Sequence, residues 1–404
     1  MARRRRRVAP AGAAADGAVK RLAALLATVA LLAVAEPLPS ALHDEDIPRI
    51  LAFGPWPPPL QPDPSNRVWG QPAAIDFGRQ LFHTPALSAN GRIACASCHQ
   101  AARGFSDGLP RGVGLARGDR NTLALHDLDL QRWYGWDGAN DNLWAQSLRP
   151  LLDAREMGGS LASVAATVRD TPALRQGYRA AFGSEPGADD ERVAVDVAKA
   201  MAAWQATLRS GRTPFDEFRD AVARGDRDAA ARYPAAAQRG LALFLGRGRC
   251  YTCHLGPTFS NGEFHDLGLP HFAEPGRVDP GRHGGIRKLQ ASRYNLLGPF
   301  NDDPTKSTAT STAHVALEHR HYGEFKVPSL RNLNLSAPYF HDGSAATLRE
   351  VLRHYSELNE ERLHADGEKL LVPLRLSPQE TEDLLAFLDS LNDTMSPTPK
   401  EPRP

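Results

Sequence analysis

Apolar residues recur at helical spacing in five stretches of the chain, and no run of any length alternates apolar with polar positions as a strand would. Ile75, Phe77, Leu81 and Phe82 fit a short helix, with regular structure beginning near Ala73. Val197, Met201, Trp204 and Leu208 share one face of a helix over Asp190 to Leu208. Leu241, Phe244 and Leu245 lie on a helix that stops at Gly246. Leu348, Val351, Leu352 and Tyr355 fall at i, i+3, i+4 and i+7, behind a capping box of Thr347 and Glu350. In the last helix Ser377 caps, Pro378 takes the first turn and Glu380 closes a second capping box. Leu384, Leu388 and Leu391 there face the core. The stretches between are irregular: a proline-rich extended leader over Pro55 to Pro64, laid over a surface, and a glycine-rich run from Gly104 to Gly118. Charged, alanine-rich Arg224 to Arg232, broken by Pro234, reads as a boundary. The absence of alternation makes the class mainly α.

Composition changes this picture little. The chain has 404 residues, 42% apolar and 24% charged, ordinary for a soluble globular protein of two domains. Net charge is +1, and Arg3 to Arg7 hold much of the positive charge, so no basic face remains to suit a nucleic acid. Those arginines precede apolar Leu22 to Ala35, which ends in Ala33-Val34-Ala35. That is the pattern of an export signal cleaved after Ala35, with an uncleaved anchor or a twin-arginine signal as the alternatives.

The cysteines change it completely. All four lie in two copies of one motif, Cys95-Ala96-Ser97-Cys98-His99 and Cys250-Tyr251-Thr252-Cys253-His254. Cys-x-x-Cys-His is the attachment signature of c-type haem: two thiols bond the porphyrin and the adjacent histidine takes the iron. A zinc site would have to unite two distant pairs, and a dithiol redox pair does not account for the histidines. Two covalently bound haem c groups are therefore expected. The second half repeats the opening plan, giving two cytochrome c-like haem domains with long irregular loops. The expected order is a signal at 1–35, leader at 36–72, first haem domain at 73–232, second at 233–395 and a disordered tail at 396–404. Haem is attached outside the cytoplasm, so motifs and signal agree on the periplasm.

The sixth position on each iron decides the function. Methionine, the usual partner in electron-transfer cytochromes, is scarce. Met1 leaves with the signal, Met395 is in the tail, Met201 reads as core, and Met157 stands beside an acid. At least one haem then lacks a His/Met pair.

An ordered set of further motifs carries a family resemblance. It comprises Arg120-Asn121, Trp136-Asp137-Gly138, Gln146, Pro150, Glu156-Met157-Gly158, the run Phe325 to Asn332, and Ala337 to Gly343. From Ala73 to Leu391 the chain resembles the dihaem cytochrome c peroxidases, especially their MauG-type branch. The resemblance implies that Glu156 handles peroxide protons over an open first haem, that Trp136 relays electrons between the haems, and that Gln146 belongs to the same catalytic set. Trp133 and Trp144 are rivals to Trp136. Members that need reductive activation hold a histidine in the loop before Arg-Asn; here Leu115 takes that position, and His126 falls after Asn121. A five-coordinate or water-bound first haem is the expectation. Tyr355 matches the distal ligand of the second haem, with His354 as the alternative about 100° away on the helix. The resemblance also implies Ca2+ between the haems, held by the Asn121 side chain and the carbonyls of Ser336 and Pro338. Arg331 and His341 would support haem or its propionates.

The expected activity is reduction of hydrogen peroxide, with electrons from a small carrier (cytochrome c or a cupredoxin) or from a protein substrate in the MauG manner. A dihaem electron-transfer protein without peroxidase activity and a dihaem O2-activating oxygenase are the alternatives. Gly262 to Val315 is a candidate surface for a partner protein.

Overall fold

A computed structural model describes residues 42–393 apart from 270–271 and 362–363, all within one compact unit. The export signal, its cleavage site, Met395 and the tail lie outside the described residues. The longer helices are α1 (Pro72–Phe82), α2 (Leu143–Leu152), α3 (Leu161–Asp170), α4 (Pro172–Phe182), α5 (Asp190–Gln205), α6 (Pro214–Arg224), α7 (Ala235–Leu245), α8 (Gly281–Ala291), α9 (Leu348–Glu357) and α10 (Pro378–Asp389). Strands among the described residues are two or three residues long: β1 (Phe264–Asp266), β2 (Phe272–Glu274), β3 (Arg277–Val278) and β4 (Glu324–Lys326). The fold is mainly α.

Helices α1 to α5 form one packed group, with α5 at its centre against α1, α2 and α3. Val193, Val197 and Met201 are fully buried in this group, so the periodicity of α5 does report a core face. The helix ends at Gln205, and Leu208 lies just past the turn that follows. A second group pairs α7 with α10, and Gly240 lets the two approach, because a Cβ there would lie 2.0 Å from the Asp383 carbonyl oxygen. β1 and β4 pair antiparallel, Phe264 opposite Lys326, and β2–β3 form a hairpin.

Two expectations need correction. Regular structure begins before Ala73, with a 3-10 turn at Asp44–Asp46 running into a short helix at Ile47–Leu51. The proline-rich leader is not merely laid on a surface. Phe53 is 2% exposed and stacks on Phe259 at 4.5 Å, and Trp56 is buried with its indole N–H donating to the Ser210 carbonyl at 3.1 Å. Its prolines restrict the backbone while its aromatics supply core. The Arg224–Arg232 stretch is largely helical, covering the end of α6 and a short helix at Arg227–Ala231.

Candidate haem-binding cavity

Both Cys-x-x-Cys-His motifs open onto one cavity of about 970 Å³. Cys95–Cys98 form a single helical turn and Cys250–Thr252 a 3-10 turn, and none of the four thiols is in a disulfide. Burial raises the thiols of Cys95 and Cys250 to about 12 and that of Cys98 to about 11. They are therefore neutral thiols near neutral pH, unlike the depressed pair of a dithiol oxidoreductase.

The histidines are set identically. His99 Nδ1 lies 2.8 Å from the Phe105 carbonyl oxygen, and His254 Nδ1 lies 2.9 Å from that of Phe259. A carbonyl can only accept, so each Nδ1 carries the proton and each Nε2 keeps the lone pair that a metal requires. Burial lowers both imidazoles, His254 to about 4, which keeps them neutral. Phe105 and Phe259 both hold positive φ, 60° and 53°, a backbone turn that aims each carbonyl back at its histidine.

Apolar side chains complete the lining. On α9, Leu348, Val351, Leu352 and Tyr355 all face the cavity, and three of the four are only partly buried because of it. Close packing does not tolerate an apolar void of this size in an interior, so thiols, lone pairs and lining together fit two haem groups.

The separate motifs converge around Trp136. Its indole N–H donates to the Asn121 carbonyl at 2.9 Å, and its own carbonyl accepts from the Lys326 backbone at 2.9 Å. Next to it Asp137 is buried. Burial alone would raise its carboxyl, but Arg120 at 2.8 Å and Lys288 at 3.2 Å hold it far below the ordinary range. Arg120 also pairs with Asp279 at 2.6 Å, tying three distant segments together in the cavity wall. Lys288 and Asp279 were not visible as partners, because only the tertiary fold brings α8 to Asp137.

Trp136 and Trp133 line the cavity; Trp144 does not. Trp144 is fully buried, its N–H donating to Ser65 Oγ at 3.1 Å. Trp133 is covered by Arg282, whose guanidinium carbon is 4.4 Å from the ring centre.

Glu156 and Gln146 line the same cavity. Glu156 Oε1 meets Arg149 Nη1 at 2.7 Å, with the Glu156 side chain 39% exposed. Gln146 Oε1 accepts from Asn140 Nδ2 at 2.8 Å. Arg149 escaped the sequence reading, since nothing in the spacing announces a partner reached across the turn after α2. The loop Gly112–Gly118 lies against Glu156: Leu115 N–H donates to the Glu156 carbonyl at 2.9 Å. Gly114 must be glycine, because a Cβ there would lie 2.6 Å from Glu156 Cα. Gly112, Val113, Gly114 and Ala116 reach the cavity, whereas Leu115 turns its side chain toward Gly158.

Tyr355 lines the cavity beside His254, and its hydroxyl bonds to no other described residue. Burial, then the nearby thiols, raises its phenol well above the usual range. His354 is not in the lining; its Nε2 lies 2.8 Å from the Leu267 carbonyl oxygen. His126 lines the cavity edge-on to Phe105, 5.5 Å between rings. Asn121, Ser336 and Pro338 also border the cavity, with Asn121 Nδ2 donating to the Leu109 carbonyl at 2.9 Å. Arg331 is buried in a bidentate pair with Asp216 at 2.8 and 3.0 Å, beneath Trp56 at 3.6 Å. His341 stacks on Phe325 at 3.5 Å.

An internal repeat emerges from this geometry. Tyr134-Gly135-Trp136-Asp137-Gly138 and Tyr339-Phe340-His341-Asp342-Gly343 each open an isolated bridge-closed turn, Tyr134↔Asn140 and Tyr339↔Ala345. Each then enters a capped helix: Asn142 Oδ1 accepts from Ala145 N–H at 2.7 Å before α2, and Thr347 Oγ1 from Glu350 N–H at 3.2 Å before α9. In that register Trp136 corresponds to His341, and Pro150 to Tyr355. Both of the last pair line the cavity.

Residues 72–224 match the family pattern of the di-haem cytochrome c peroxidases. Over 322 residues the chain is 35% identical to the methylamine utilization protein MauG of Methylorubrum extorquens, covering 79% of this chain and 78% of that one. It is 30% identical to the cytochrome-c peroxidase IdrP1 of a Pseudomonas species, covering 83% and 85%. Among solved structures, a MauG-like protein associated with microbial copper homeostasis superposes with a TM-score of 0.61. That protein is 29% identical, and the match covers 84% of this chain and 95% of the other.

Proposed function

The chain belongs to the di-haem cytochrome c peroxidase family, and on that premise we propose that it reduces hydrogen peroxide at the first motif while the second passes electrons. The correspondence of Pro150 with Tyr355 carries the reading. Two equivalent helical positions face the cavity, and one bears no ligand atom while the other bears a phenol. A haem held by His99 would supply the iron chemistry that peroxide reduction needs.

Around that position the chain contributes proton handling. The Glu156 carboxylate takes a proton from one peroxide oxygen and returns it to the other, and Arg149 at 2.7 Å fixes its orientation. Gln146, anchored by Asn140, presents an amide to the same space. Trp136 is assigned the electron path between the two sites; its ring is held rigidly by the Asn121 carbonyl. Tyr355 would offer its phenol oxygen to the iron of the second haem, and a phenolate there would favour the ferric state. Asn121 and the carbonyls of Ser336 and Pro338 offer oxygen donors that suit Ca2+.

The electrons come from another protein, either a small carrier or a substrate whose own side chains are oxidised. The protein acts in the periplasm, after cleavage following Ala35. No helix among the described residues is long and apolar enough to cross a membrane.

The deciding measurement is the EPR spectrum of the fully oxidised protein. One high-spin and one low-spin ferric signal are expected. Two low-spin signals would overturn the open first site. Peroxide-dependent oxidation of a reduced cytochrome c or cupredoxin, set against side-chain modification of a co-expressed protein, separates the two kinds of donor.

A further inference from the structure

A second constellation lies away from the cavity. His319 opens a 3-10 turn, His319–His321, shortly before β4; His364 and Asp366 belong to the loop after α9. One ring nitrogen from each histidine and a carboxylate oxygen of Asp366 lie within 4.8 Å of one another. Asp366 Oδ1 is 3.0 Å from His319 Nδ1 and 2.5 Å from His364 Nδ1. None of the three residues lines the haem cavity.

The hydrogen bonding says which nitrogen of His364 is available. Its Nε2 lies 3.0 Å from the Tyr322 carbonyl oxygen, which can only accept, so Nε2 carries the proton. In the neutral ring Nδ1 then presents a lone pair to a carboxylate oxygen, which is an acceptor as well. Two acceptors that close require a positive species between or beside them. A second imidazole nitrogen, Nδ1 of His319, converges on the same oxygen at 3.0 Å, so two ring nitrogens and a carboxylate meet at one point. Anchoring the far ring nitrogen on a backbone carbonyl is the usual outer support of a metal-ligating histidine. Tyr322, which offers that carbonyl, is itself held by stacking on His283 at 3.9 Å.

We propose that His319, His364 and Asp366 bind a divalent transition-metal ion of the Zn2+ class, with the remaining positions open to water. Two imidazoles and one carboxylate suit such an ion; Mg2+ and Ca2+ prefer all-oxygen sets. The ion joins the loop after α9 to the segment entering β4. That loop also carries Glu368, 2.8 Å from His265, and Leu370 to Val372, which line the haem cavity. The site is therefore a clamp on a loop that forms part of the cavity wall.

The test uses the haem-loaded, tag-free protein dialysed against micromolar Zn2+, with bound metal quantified, for wild type, His319→Ala and Asp366→Asn. Wild type should retain one Zn2+ that Mg2+ does not displace, and each variant should bind it about tenfold or more weakly. Haem absorption and metal-free melting should match in all three, which separates ligand loss from misfolding. Trypsin cleavage after exposed Lys369 should slow with Zn2+ in wild type alone. Equal Zn2+ retention by wild type and both variants, or none by wild type, would overturn the site. Retained Zn2+ with unslowed cleavage would overturn the clamp.

Discussion

Helices α2 and α9 follow matching Tyr-x-x-Asp-Gly turns and matching caps, yet their surroundings at the cavity differ in kind. Around α2 the wall carries charge and amide groups: Glu156, Arg149 and Gln146, with small residues of the Gly112–Gly118 loop beside them. Around α9 it is apolar, with one phenol. The supporting histidines are alike in geometry and protonation, so the difference between the two sites resides almost wholly on the far side of the cofactor. One scaffold used twice thus presents a carboxylate, a guanidinium and an amide in one copy and a phenol in the other, by changing the side chain at a single helical position and its neighbours.

The sharpest way to break the comparison is Glu156→Gln. It should slow the reaction with peroxide by about 10²–10⁴-fold in stopped-flow mixing, leaving the spectrum of the second haem unchanged. Wild-type reactivity would remove the acid–base role. Next, Arg331→Met leaves Asp216 as an uncompensated buried charge; the Arg331 and Asp216 side chains are 1% and 2% exposed. A loss of about 3–5 kcal/mol in unfolding free energy is expected, felt first at the loop around Phe259, because Arg331 Nε also donates to the Pro257 carbonyl at 2.6 Å. Tyr355→Phe should change the spin state and potential of the second haem while first-site peroxide binding stays within about twofold, a change well under 1.4 kcal/mol.

The smallest effect concerns Glu324, a control outside both sites. Burial raises its carboxyl to about 7 despite Arg320. Between the ordinary carboxylate range and pH 7 the folded state holds the proton that the unfolded state has lost. Stability should therefore fall as pH rises through that window. Glu324→Gln should flatten this slope in melting curves and leave turnover unaltered.

Much of the site was readable because its chemistry is local in sequence. Each Cys-x-x-Cys-His pentapeptide fixes its own cofactor, and the cap of α9 with its apolar face located Tyr355 without tertiary information. What escaped depends on close approach across the fold. Helix α2 was missed because Pro150 stands inside it, and α8 because Gly284 and Gly285 interrupt its pattern. Gly285 is required at that place, since a Cβ would lie 1.9 Å from the Asp137 carbonyl oxygen. The same approach brings Lys288 to Asp137, an ion pair no spacing rule foretells. Part of Gly262–Val315 is tied to the first helical group, with Asp302 meeting Lys199 at 2.5 Å. In the leader, prolines drew the eye from Phe53 and Trp56, whose burial was the stronger signal.

Phe259 offers the carbonyl that orients His254, and its ring is wedged between residues from opposite ends of the described chain: Phe53 at 4.5 Å and Phe387 at 6.2 Å. The second Cys-x-x-Cys-His motif thus sits where the backbone closes on itself like a buckle, while the cavity beside the first is lined by Phe82, by α2 and by the end of α5. Trimming the chain through Phe53 would loosen the buckle from outside, reaching the surroundings of His254 before those of His99.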